Sequence, residues 1–146
     1  MTQPHSRPDS RGRTLLRAAV WVPQVLVAAI FIGAGLAKLA MPYAEVVHTF
    51  GAIPQPLLIA ASTFEVIGGI GILLPSVTRI APALTIWAAL GCALLQAGAA
   101  VFHLAQGDTT ELPLNLTLLA LPLLVAWLRW RVAPIRPRAE KLSPAA

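Results

Sequence analysis

TFEVIGGIGILLP (Thr63–Pro75) is an apolar run with a single acid, Glu65, set well inside it. A carboxylate in a membrane-spanning helix costs roughly 3 kcal/mol on insertion scales unless it is paired or neutral. Glu65 is therefore expected to face the interior of a helix bundle and to have a partner there. The totals agree with a bilayer setting: 57% of the 146 residues are hydrophobic and 12% are charged. A soluble domain carries about a quarter charged residues. Mean hydropathy is +0.73.

Outward from this run the chain divides into apolar spans of roughly 20 residues, the length that crosses a bilayer. They cover about 15–40, 57–74, 80–105 and 112–129. The first is too long for the hydrophobic region of a signal peptide, so it reads as a retained span. Residues 1–13 are polar and aperiodic and read as a disordered basic tail, and 133–146 as a basic, Pro-rich one. Between them, 14–132 is one membrane domain, all-α, a four-helix bundle. Pro23 and Pro122 are expected to kink their spans, and Pro75, Ser76 and Arg79 to form a tight turn. In Met41–Pro56, Tyr43, Val46, Val47 and Phe50 share one helical face, which predicts a short interfacial helix. Gly33, Ala34, Gly35 and Ala37 are expected at a helix–helix contact, because small residues let backbones approach.

Charge fixes the expected orientation. Arg7, Arg11, Arg13 and Arg17 precede the first span, Arg79 lies between the second and third, and Arg129, Arg131, Arg136, Arg138 and Lys141 end the chain. Ten of the eleven basic residues thus fall on one side, which predicts both termini in the cytoplasm of an inner (cell) membrane. This placement flanking apolar spans reads as topology, so the net charge of +5 does not imply nucleic acid. High Ala, Arg and Pro usage suggests a bacterial source.

Lys38 is the exception to the charge pattern and lies in the outer half of the first span. Glu65 in the second, His103 in the third and Asn115 in the fourth occupy the same half. Cys92, Gln96, Ala99 and His103 form one helical stripe, and Ser62, Glu65, Gly69 and Ile72 another. The reading is a Lys38–Glu65 pair, with Gln96, His103 and Asn115 completing a polar pocket open to the outer side. Against it stands the structural alternative, in which these groups only hold helices together and Lys38 snorkels to the interface. His48 reads as solvated and Cys92 as a small apolar filler. A lone cysteine excludes an intramolecular disulfide. A single well-placed histidine argues against bis-His haem, and no ligand cluster suggests a metal.

GAGLAKL (Gly33–Leu39), FEVIGGIGILLP (Phe64–Pro75), the His103–Leu104 end of the third span and Asn115 together resemble the DoxX-like family of small membrane proteins, over about Phe31 to Trp130. The resemblance implies a four-helix bundle. Some relatives are subunits of thiosulfate:quinone oxidoreductase or of membrane redox complexes, and a distant animal relative assists receptor assembly. Three expectations follow. The first is a non-catalytic accessory subunit of a quinone-linked redox system, not an enzyme on its own, with a quinone as the one suggested cofactor. The others are an assembly partner for membrane proteins and a small transporter or lipid-handling protein. Expected partners are the bilayer, other redox subunits, or further copies of the chain.

Overall fold

The computed structural model describes residues 10–138, and the remainder of both tails lies outside them. Helix α1 spans Ser10–Ala40, α2 Tyr43–Phe50, α3 Gln55–Thr78, α4 Ala83–Ala105 and α5 Leu112–Trp127. A π-helical turn, Leu128–Val132, continues α5. Among the described residues there is no strand. Four segments are long and apolar enough to cross a membrane: Thr14–Ala40, Gln55–Thr78, Ala83–Ala105 and Leu112–Val132. The protein is an all-α bundle of four candidate spans with a short helix between the first two.

Neighbours in the bundle run α1, α3, α4, α5, and a smaller α1–α5 contact closes it. Its apolar middle is built from Val27, Ala28, Phe31, Ile72, Ala89, Cys92, Val125 and Ala126. Large side chains such as Phe64, Ile67, Trp87 and Leu94 point outward instead, as a lipid-facing surface requires.

Helix α1 meets α3 closely because glycines leave room. A Cβ on Gly69 would lie 2.6 Å from Ile32 Cγ1 and 2.9 Å from the Ala28 carbonyl. One on Gly35 would lie 2.6 Å from the Ser62 carbonyl. Gly33, expected at the same contact, has nothing within 4 Å of such a Cβ. Two residues apart on an α-helix is about 200°, so Gly33 and Gly35 cannot share a face.

Two boundaries differ from expectation. Helix α1 already begins at Ser10, within the expected tail. Helix α3 runs through Pro75 to Thr78, and Pro75 and Ser76 are buried inside it instead of forming a turn. Proline is tolerated in a membrane helix when neighbours satisfy the disturbed backbone. The carbonyl that loses its helical donor to Pro75 is that of Gly71, and at the neighbouring position Gln24 Nε2 on α1 donates to the Ile72 carbonyl at 2.7 Å. The turn comes later, with Arg79 (φ 59°) and Ala81 (φ 47°) both left-handed. After the π-helical turn, residues 133–138 run back so that the Arg138 N–H donates to the Arg79 carbonyl at 3.2 Å.

Candidate functional site: two polar clusters in the bundle

Lys38 lies in the last turn of α1, one turn beyond Gly35. The Gly35 seam holds it against α3, where a Gly35 Cβ would be 3.1 Å from that of Glu65. Lys38 Nζ donates to Glu65 Oε1 at 2.6 Å. The Lys38 side chain is 18% exposed and that of Glu65 7%, so the acid sits behind the base as seen from outside. The Phe50 ring of α2 has its centroid 5.9 Å from Lys38 Nζ. Beside the pair opens a cleft of about 120 Å³ lined by Lys38, Leu39, Met41, Tyr43, Gln55, Leu58 and Ile59.

Three polar atoms in this half of the bundle are buried without a hydrogen-bond partner: Glu65 Oε2, Ser62 Oγ and Asn115 Nδ2. Gln96 is also buried. Its level follows from the α3–α4 register, which is fixed where Gly68 faces the Cys92 thiol. One turn outward from that contact lies Glu65 on α3 and Gln96 on α4. His103 goes elsewhere. Its Nδ1 is 3.6 Å from Asp108 Oδ2 in the following loop, and its ring makes an edge contact with Phe102. Asp108 in turn accepts hydrogen bonds from the Thr110 hydroxyl and, at 2.9 Å, its backbone N–H. These bonds hold the Asp108 carboxyl below its ordinary value. The structure thus joins Lys38 to Glu65, buries Gln96 and Asn115, and engages His103 with the α4–α5 loop.

A second cluster lies on the opposite side of the apolar middle. Gln24 Nε2 donates to Ser76 Oγ at 2.8 Å, and Ser76 Oγ shares a 2.8 Å bond with Thr85 Oγ1. Arg129 Nε donates to Gln24 Oε1, and its guanidinium carbon lies 4.7 Å from the Trp21 ring centroid. All four residues are buried, and each long helix supplies one. Helical spacing carries the signal for them. Gln24 falls on the Val20–Val27–Phe31 face, and Arg129 follows Pro122, Val125 and Ala126 at i+7, i+4 and i+3.

From outer to inner cluster is eleven residues on α3 (Glu65 to Ser76) and eleven on α4 (Thr85 to Gln96), or about 16 Å of helix. The bundle is therefore polar, apolar and polar along its axis. The outer pair can donate a hydrogen bond to a carbonyl, since an ammonium has three donors and Glu65 uses one. Among the described residues no group of three His, Cys, Asp or Glu is placed to hold a metal. The model of the DoxX-like family matches residues 22–125, which include both members of the ion pair and end before Arg129. No curated protein and no solved structure matches the chain.

Proposed function

The chain belongs to the DoxX-like family of membrane proteins, and from that premise we propose that it is a non-catalytic accessory subunit of a quinone-linked redox system. The observation that carries this reading is the Lys38–Glu65 pair, whose Lys38 lines a cleft, with polar atoms of Ser62, Glu65 and Asn115 buried and unpartnered in the same half of the bundle. A paired lysine gives a quinone carbonyl a charged donor, and the neutral pair leaves no net charge to repel an apolar ring. The cleft, at about 120 Å³, is smaller than the roughly 300–1,000 Å³ of a typical ligand pocket. It suits a carbonyl edge, with the ring's remainder and the tail lying in lipid. In this reading the protein sits in a bacterial inner membrane with both termini in the cytoplasm, and the site faces outward.

A second reading has its own observation. Gly33 on α1 and Gly91 and Gly98 on α4 face open space. Bare glycine on a lipid-facing helix lets another helix approach, which favours assembly with other membrane subunits or further copies.

Mass spectrometry of the protein purified in mild detergent separates the two. A stoichiometric quinone, lost in Lys38→Met, is the expected result. A retained protein partner with no small molecule moves the function to assembly.

A further inference from the structure

The inner cluster holds a charge that the described chain does not balance. Arg129 is 5% exposed. Its Nε donates to the Gln24 side-chain carbonyl, and Nη1 reaches the Ala133 carbonyl at 3.4 Å, near the limit of a hydrogen bond. Both acceptors are neutral. Nη2 is buried with no partner. The acids among the described residues are Glu45, Glu65, Asp108 and Glu111. Glu65 is bound to Lys38 in the other cluster, and the remaining three lie in α2 and the α4–α5 loop at the opposite end. A buried guanidinium with only neutral acceptors is costly, because burial removes water without supplying a counter-charge.

The way Arg129 is held says what is missing. Gln24 takes the Nε side, and the guanidinium carbon lies over the Trp21 ring, 4.7 Å from its centroid. That leaves the edge formed by Nη1 and Nη2, with one weak bond and one unmade. Two parallel N–H donors on a guanidinium edge match two oxygens of a phosphate. Depth points the same way. Arg129 is in the last turn of the span Leu112–Val132, between the exposed Trp127 and Trp130. Exposed tryptophans mark the headgroup level of a bilayer. Arg79, Arg131, Arg136 and Arg138, all exposed, lie at this same end.

We propose that the Nη edge of Arg129 is a phosphate-binding site at headgroup depth, in which a phosphate replaces the weakly held Ala133 carbonyl. This site is separate from the outer pair and does not depend on what the outer pair binds.

The full chain, stripped of lipid in a non-ionic detergent, is titrated with short-chain phosphatidylglycerol and, separately, with inorganic phosphate. Native mass spectrometry reads the lipid and thermal shift reads both. One phosphatidylglycerol retained per chain is expected in the wild type and in Arg131→Gln, with Arg129→Gln binding about tenfold more weakly or worse. A thermal shift with inorganic phosphate that vanishes in Arg129→Gln keeps the site and assigns it a free phosphate. No binding in either arm, or equal binding by Arg129→Gln, overturns the proposal. Should Arg129→Gln fail to fold, tryptophan emission locates the ligand instead. The ligand-induced change should disappear in Trp21→Phe and persist in Trp130→Phe; the reverse pattern overturns the assignment.

Discussion

With 7% of the Glu65 side chain exposed and Lys38 Nζ at 2.6 Å, each ion of the outer pair is stable chiefly because of the other. Removing one partner of a buried pair costs about 3–5 kcal/mol, because the remaining charge is left without compensation. Lys38→Met is expected to destabilise the protein by that order, read as a lower denaturation midpoint in detergent. Lys38→Met combined with Glu65→Leu should restore most of the loss, since apolar replacement of both ions removes both desolvation costs. Glu65 is legible in the sequence because an acid is conspicuous in Thr63–Pro75. For His103 helical spacing gives the stripe it shares with Cys92 and Gln96 but not its neighbour Asp108, which a turn at Gly107 (φ 74°) brings to 3.6 Å from its Nδ1. Arg129 shows two rules in conflict. Counting basic residues at helix ends places it on the surface, whereas its spacing from Val125 and Ala126 places it inside. Spacing prevails, because Gln24 and Trp21 offer the guanidinium partners there.

At the scale of elements, the span pattern and the interfacial helix follow directly from hydropathy and the Tyr43–Phe50 periodicity. Proline misleads at Pro75, because a helix-breaking signal calibrated on water does not carry over to a helix packed among others in a bilayer, where proline is tolerated. The α1–α3 seam gives a sharp contrast between glycines of similar sequence context. Gly69→Ala forces a Cβ toward the Ala28 backbone carbonyl at 2.9 Å, and overpacking of that kind costs about 1–3 kcal/mol. Gly91→Ala meets open space and is expected to be neutral or stabilising by up to about 1 kcal/mol from helix propensity. Thermal denaturation of the two variants in one detergent checks the pair. Equal effects would mean that the seam is not where α1 and α3 approach.

For the whole molecule, the same charge pattern that predicts orientation also predicts asymmetry of chemistry. Among the described residues Glu45, Asp108 and Glu111 lie in α2 and the α4–α5 loop, Arg79, Arg129, Arg131, Arg136 and Arg138 at the other end, and each end of the bundle interior has its own polar cluster. The outer cluster is electrically neutral and open to a cleft; the inner one is positive and closed around a guanidinium lying over the Trp21 ring. The two proposals together place a small apolar carbonyl compound at one end of this bundle and a phosphate at the other. The most direct test of the outer site uses the charge-free double variant, because its fold should survive. Wild type and Lys38→Met/Glu65→Leu in nanodiscs are titrated with decylubiquinone. Saturable binding by the wild type, weakened about tenfold or more in a double variant of similar denaturation midpoint, is the predicted result. Equal affinity in the two proteins, or none in the wild type, would contradict the account and leave Lys38 and Glu65 as a structural clasp between α1 and α3.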